Sequence, residues 1–206
     1  AYMVITVTSH YITYNNKFVS KADLQANLRS WKDIANPFWR GKIALVDPMS
    51  TSTVMSWLRT LKGAYGEDWV RELAKNNPRY VDGGSSGVQQ VAAGAYLLAM
   101  PTAAGHSTAI RAKGAPLSLA DIEGPAHGIE SALAIPKQPV HTNAALLFAN
   151  WIVTPEAQAT NCPDQIPLYR GLGGNCADLS REHIGSVDVI PDADQKQLMG
   201  LLGRRP

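Results

Sequence analysis

Three short runs in this chain carry the side chains best suited to chemistry: Thr51-Ser52-Thr53, Ser85-Ser86-Gly87 and Gly105-His106-Ser107. Each sits where a β-forming stretch gives way to helical periodicity. The first turn of a helix has unpaired N–H groups and the positive end of the helix dipole. Hydroxyls, glycines and an imidazole at such places suit a carboxylate, a phosphate or a similar anion. In a parallel sheet the strand-to-helix junctions share one edge, the carboxyl ends of the strands. The spacing therefore points to a small-ligand cleft lined by Thr51, Ser52, Thr53, Ser85, Ser86, Gly87 and His106. Asp47, at the end of an apolar strand, joins this set. A plainer role exists for each hydroxyl: an N-cap stabilises its own helix by about 1 kcal/mol. For one junction alone that role suffices; three on one edge favour the cleft. Asp121-Ile122-Glu123-Gly124-Pro125 reads either as a solvated turn or as a recognition point for a cationic group, with Glu123 as the candidate ligand residue.

Gly83-Gly84-Ser85-Ser86-Gly87 also fits G-x-S-x-G, the strained turn that presents a hydrolase serine. Asp121 followed by His127 or His141 would complete a Ser, Asp, His order. Against this, Asn76 to Asp82 is too polar for the buried strand such a turn ends, and no HGGG-type oxyanion loop is present. A serine hydrolase using Ser85 is thus the alternative, and an enzyme is not the expectation. His10, His106, His127, His141 and His183 show no i, i+4 pairing of the kind that binds zinc. They read as surface or packing residues, with His106 the exception. No metal or cofactor is expected.

The elements that must position these residues follow from periodicity. Met3 to Tyr14 reads as one long strand or two short ones, and Lys42 to Val46 as a buried parallel strand. Helices are expected over Lys21–Leu28, Thr53–Ala64, Gly66–Lys75, Val88–Ala93, Gly105–Lys113, Asn143–Val153, from Pro155, and near Asp194–Leu202. Further strands are expected at Arg79–Val81, Tyr96–Met100, Leu117–Ile122 and Ser131–Ile135. Trp31, Trp39, Trp57, Trp69 and Trp151 all sit in apolar patterns and read as core. Alternating strands and helices imply an α/β fold with a mainly parallel sheet flanked by helices.

The 206 residues are 45% hydrophobic and 17% charged, with a net charge of +2, so a core is affordable within the chain itself. Lys42, Arg59, Lys62, Arg71 and Lys75 look like solvated helix faces, which argues against nucleic-acid binding. No apolar run approaches ~18 residues, so no membrane span is expected. No signal peptide is visible, and the chain opens on Ala1 inside an apparent strand, as a mature or truncated piece would. Cys162 and Cys176 flank a turn-rich loop. A disulfide would stabilise such a loop by roughly 3 kcal/mol and imply an oxidising compartment; two free thiols are the other possibility.

One stretch adds a family resemblance. Trp31-Lys32-Asp33-Ile34-Ala35-Asn36-Pro37-Phe38-Trp39-Arg40-Gly41-Lys42-Ile43-Ala44-Leu45-Val46-Asp47-Pro48 resembles the W-x-D-L-x-x-P-x-W-K-G-K-I-x-x-x-D-P signature of bacterial ABC-transporter solute-binding proteins. The branch is the periplasmic binding proteins of type 2 that take ferric iron, thiamine, phosphonates or polyamines. Tyr14-Asn15-Asn16, Val91-Ala92-Ala93-Gly94 and the Ala144–Ile152 and Thr154–Gln158 segments resemble further landmarks of that family. The resemblance implies two α/β lobes joined by hinge strands, truncated here at the N-terminus. It assigns 1–16 to hinge and crossover strands, 17–125 to the second lobe, and 126–206 to the return segment and C-terminal helices of an incomplete first lobe. It implies capture of a small polar or anionic organic solute outside the cell or in the periplasm, delivery to a membrane permease, and a lipid anchor on the full-length precursor as one option. Exposed edges of such a fragment would favour a homodimer. Iron-binding members carry adjacent tyrosines where this chain has Pro101-Thr102-Ala103-Ala104-Gly105-His106, so ferric iron is the lesser alternative.

Overall fold

The computed structural model describes residues 2–124, 126–162, 164–176, 182–184 and 190–204. Ala1 and Pro125, both used above, lie outside that set. In chain order the elements are β1 (Met3–Ser9), β2 (Tyr11–Asn15), α1 (Lys21–Asn27), β3 (Ile43–Val46), α2 (Ser52–Tyr65), α3 (Glu67–Lys75), β4 (Arg79–Val81), α4 (Gly84–Ala92) and β5 (Leu98–Thr102). There follow α5 (Gly105–Ala112), β6 (Leu117–Leu119), β7 (Ala126–Leu133), α6 (Thr142–Ile152), α7 (Pro155–Thr160), β8 (Ile166–Pro167), β9 (Glu182–Ile184) and α8 (Asp192–Leu201).

The strands form two sheets. A five-stranded sheet has the order β4-β3-β5-β2-β6, and a four-stranded sheet the order β8-β1-β7-β9. β3 pairs in parallel with both β4 and β5, and β2 lies antiparallel to β5 and β6. The apolar stretch that reads as one or two strands is two, and they belong to different sheets: only His10 separates β1 from β2. β7 returns antiparallel to β1, from Ser9↔Gly128 to Met3↔Leu133. This is the α/β arrangement the sequence implies, with a second, partial sheet; within the five-stranded sheet the parallel pairing is confined to β4-β3-β5, because β2 enters from the other sheet, and in the four-stranded sheet β9 lies parallel to β7.

All four residues of β3 are buried, as a parallel strand covered on both faces requires. The segment before it is a web of short-range hydrogen bonds. Asp33 Oδ2 accepts from the backbone N–H groups of Arg29 and Ser30 at 2.9 Å each, and Asn36 Oδ1 accepts from Phe38 N at 2.9 Å. Trp39 Nε1 donates to Asn27 O at 2.8 Å, and Asn76 Nδ2 donates to the carbonyls of Ile34 and Asn36. These bonds let Trp31, Ile34 and Trp39 be buried in an irregular segment without orphaned backbone groups.

Several boundaries differ from the periodicity. α4 begins at Gly84, so the glycine-serine run is the first turn of the helix and not a loop before it. Its poor helix propensity is offset by packing: a Cβ on Gly87 would lie 3.3 Å from Ala99 Cβ and 3.4 Å from Val81 Cγ2, so glycine lets the helix settle on the sheet. β5 is shifted to Leu98–Thr102, β6 stops at Leu119, and β7 starts at Ala126 well before Ser131. Trp31, Trp39, Trp57 and Trp69 are core as expected, but Trp151 is 44% exposed on α6 beside exposed Leu146, Leu147 and Phe148. α8 also departs from the expected grouping. Leu198, Met199 and Leu202 join the core of Trp57, Leu58 and Val70, and α8 packs on α2 and α3. The C-terminal helix therefore belongs with the five-stranded sheet and not with the return segment. Among the described residues no helix is long and apolar enough to cross a membrane.

The two ends of this burial scale give a direct check. Leu45 is wholly buried in β3, whereas Leu147 is 73% exposed on α6. Leu45→Ala is expected to cost about 2–5 kcal/mol in urea unfolding, and Leu147→Ala to change stability by less than about 0.5 kcal/mol.

Candidate functional site

β3 delivers Asp47, whose N–H donates to Val81 O at 2.9 Å. Asp47 Oδ1 accepts from Met49 N at 2.9 Å, shaping the turn into α2. Its other oxygen, Oδ2, lies 2.6 Å from Arg204 Nη1, and the Arg204 guanidinium lies 4.2 Å above the Tyr80 ring. The Asp47 carboxylate is thus engaged by the C-terminal segment, not presented to a ligand. Thr51 is the N-cap of α2, accepting from Val54 N at 3.3 Å, with Thr53 Oγ1 2.9 Å from Thr51 Oγ1. Thr51 and Ser52 remain exposed and Thr53 half-buried, so capping and access coexist at this helix start.

α4 starts differently. Gly83 at its N-cap has no side chain to cap it, which leaves the first N–H groups open. Ser85 is exposed and Ser86 half-buried in this first turn, and no described residue hydrogen-bonds either hydroxyl. Gly87 is buried against the sheet and acts in packing, not in the site. α5 begins at Gly105 beside His106, whose Nδ1 accepts from Ala103 N at 3.0 Å. That bond requires a bare Nδ1, so the neutral ring carries its proton on Nε2 as a donor. Burial pushes the His106 pKa down and favours this neutral form. The ring lies directly on Gly84: a Cβ there would collide with His106 Nδ1 and Cε1. The starts of α4 and α5 are therefore in contact, and only glycine permits it. Glu123 is grouped elsewhere. Its N–H donates to Arg29 O at 2.6 Å, and with Leu24, Gln25, Leu28, Arg29, Asp121 and Ile122 it lines a cavity of about 360 Å³.

A second cluster has no counterpart in the sequence reading. His10 N donates to His127 O at 2.9 Å, and the two rings stack with centroids 4.9 Å apart and planes 12° apart. Their Nδ1 atoms are 3.0 Å apart, and Ser56 Oγ of α2 lies 3.3 Å from His127 Nε2. A bond between two Nδ1 atoms holds a single proton, donated by one ring to the other. Burial lowers the His10 pKa to about 3, with His127 and His106 nearby adding to the effect. Nothing in the spacing of His10, Ser56 and His127 signals this meeting; the sheet register makes it, since β1 and β7 pair up to Ser9↔Gly128.

The same geometry argues against the hydrolase alternative. A nucleophile turn holds its serine in a strained conformation, yet Ser85 lies within α4, and Asn77 is the one non-glycine residue with positive φ among those described. His127 faces Ser56 and His10, and His141 is exposed at the start of α6. Among the described residues no three His, Cys, Asp or Glu side chains are placed to hold a metal ion. Cys162 and Cys176 form the expected disulfide, with Cα atoms 4.9 Å apart.

The His10 environment sets a pH dependence. Its folded pKa of about 3 lies below the ordinary 6.5, so the unfolded chain takes up a proton that the folded chain refuses. Stability is then full above pH 6.5 and falls as the pH drops from 6.5 towards 3, by up to about 5 kcal/mol. Urea unfolding between pH 7.5 and 4 is expected to show this decline. In His10→Asn the slope across the same window shrinks.

Comparison with known proteins places these features in a family. Residues 6–161, well over half of the chain, match the family model of the bacterial extracellular solute-binding proteins. The fold is similar to that of the substrate-binding protein of an ABC transporter from Agrobacterium tumefaciens, with a TM-score of 0.77 and 9% identity over 98% of this chain. Iron-bound HitA from Pseudomonas aeruginosa follows with a TM-score of 0.67 and 18% identity over 98% of this chain. AfuA from Actinobacillus pleuropneumoniae, solved with fructose-6-phosphate, has a TM-score of 0.63 and 17% identity over 97% of this chain. The chain spans 65%, 67% and 66% of those three proteins. It spans 42% of a curated Haemophilus influenzae protein to which it is 27% identical over 150 residues. By this match, over a segment that includes β2 and the starts of α2, α4 and α5, the chain belongs to the bacterial extracellular solute-binding proteins.

Proposed function

We propose that this chain captures a small polar or anionic organic solute at the starts of α2, α4 and α5 and passes it to the permease of an ABC importer. The observation that carries this reading is the contact of the α4 and α5 starts through Gly84 and His106, with Ser85 and Ser86 unpartnered in the uncapped first turn beside them. Open N–H groups, two hydroxyls and a neutral imidazole N–H form a donor-rich pocket without a fixed positive side chain. Such a set binds the acidic end of an organic solute without holding it irreversibly, as delivery to a permease demands. Binding between two lobes, with 1–16 as hinge and crossover strands, 17–125 as the second lobe and 126–206, α8 apart, as the return segment of the first lobe, is part of the proposal. So are a location outside the cytoplasm, a lipid anchor on the precursor, and a non-catalytic role.

Within this reading an organic anion is preferred over ferric iron. Fructose-6-phosphate in AfuA shows that this fold accommodates a phosphate ester, and iron in HitA that it accommodates a metal. Here the Pro101–His106 segment offers no anionic oxygen, which a hard cation requires. The apolar face of Leu146, Leu147, Phe148 and Trp151 supports a proposed association of two copies.

Ser85→Asp provides the test, because an aspartate in the first turn suits α4 yet repels an incoming anion. Inorganic phosphate and sugar phosphates are expected to raise the melting temperature of the wild-type chain. The shift is expected to vanish in Ser85→Asp while the unliganded melting temperature holds. Equal shifts in both proteins would refute the reading. Covalent labelling of Ser85 by a fluorophosphonate would revive the hydrolase alternative.

A further inference from the structure

α5 has no cap of its own: Ala104 precedes it and makes no side-chain hydrogen bond. A carboxylate from far along the chain lies over its first turn instead. Thr108 Oγ1 donates to Asp164 Oδ1 at 2.5 Å, and Ala104 O, at 3.2 Å, is the hydroxyl's other acceptor. Asp164 Oδ2 lies 3.4 Å from where a Cβ on Gly105 would stand, so the carboxylate rests on the helix start itself.

Asp164 belongs to the other sheet. It lies between α7 and β8, and β8 pairs with β1 through Thr6↔Pro167 and Val7↔Ile166. The next residue, Gln165, accepts from Thr6 Oγ1 of β1 at 2.7 Å. The N–H groups of Asp164 and Gln165 both donate to Asn161 O at 3.0 Å, and the Cys162–Cys176 disulfide closes the loop around them. The loop is thus tied to the four-stranded sheet through β8 and Thr6, and the side chain that Asp164 extends to α5 is an acid.

We propose that Asp164 is a built-in competitor that latches the α5 start from the opposite sheet, so that an anionic solute reaching this start must displace it. The competition rests on the anion-binding function proposed above; the latch does not. A carboxylate and a solute anion cannot share one helix start, because like charges at that distance repel. At the α4 start a Cβ on Gly83 would meet nothing within 4 Å, so an anionic group binds there first. Binding at α5 is coupled to release of a contact between the sheets, which makes Asp164 a determinant of which anions the site accepts.

Asp164→Asn keeps an oxygen for Thr108 but removes the charge, and Thr108→Val removes the bond but keeps the charge. Hydrogen exchange at the amides of 105–108 reads the latch, and titration with inorganic phosphate reads the competition. In Asp164→Asn, phosphate is expected to bind at least about fivefold tighter than in wild type. In Thr108→Val the amides are expected to exchange at least about tenfold faster. Unchanged exchange in both variants would overturn the latch, and equal or weaker phosphate binding in Asp164→Asn would overturn the competition. Ser85→Asp separates this outcome from the parent reading. If phosphate tightens in Asp164→Asn but ignores Ser85→Asp, the role of Asp164 stands and the α4 site falls.

Discussion

A single residue, His10, joins consecutive strands β1 and β2 of different sheets, and the stacking of its ring on His127 is the constraint on which the remaining geometry depends. β1 and β2 are consecutive strands in different sheets, so the chain must turn from one to the other without a loop. The backbone bond from His10 N to His127 O continues the β1–β7 ladder up to that point, and the Nδ1 to Nδ1 contact closes it. Ser56 then ties the pair to α2 of the larger sheet. A charged imidazole in this place would be desolvated, which is why burial first, and the neighbouring His127 and His106 next, hold His10 in its neutral form. The joint is therefore made of a neutral His10 ring bonded to His127 through one proton between their Nδ1 atoms, and it sets how the helix starts of one sheet face the loops of the other.

Glycine and neutral polarity then shape the site. Gly84 and Gly87 lie one turn apart in α4 and do different work: Gly84 admits the His106 ring, and Gly87 seats the helix on Ala99 and Val81. His106 spends its Nδ1 on Ala103 N, which leaves one N–H of fixed direction. Two carboxylates close by are already matched, Asp47 with Arg204 and Asp164 with the first turn of α5. What remains open is a set of neutral donors, suited to a ligand that brings its own negative charge.

Parts of this were legible in the residues. The all-apolar Ile43–Val46 run, the Thr51 cap and the Pro155 restart each act through neighbours a few positions away, and each is found where the sequence puts it. The Trp31–Pro48 signature is local in its turns, which bond to residues two to four positions away, while Asn76 ties it down from far along the chain. Glu123 bonds through its N–H to Arg29 O beside an isolated bridge from Ser30, a contact that no periodicity encodes. Trp151 reads as core from its apolar neighbours, yet α6 turns that face outward. α8 has a mostly polar sequence, and its few apolar residues did not reveal that they fill the core between α2 and α3.

By itself, then, the sequence determined the fold class, the family and the types of side chain at three helix starts, because propensity, capping and burial periodicity are set by residues within one or two turns of each other. The tertiary structure alone decided which of those side chains meet. His10 with His127, His106 with Gly84, Arg204 with Asp47 and Thr108 with Asp164 are all contacts across long stretches of chain. Such contacts depend on strand register and sheet order, which shift by whole residues at bulges such as the one between Val4 and Thr6. A one-residue slip in β1 would send His10 to the other face of the sheet, and no local pattern around position 10 records which register the chain adopts.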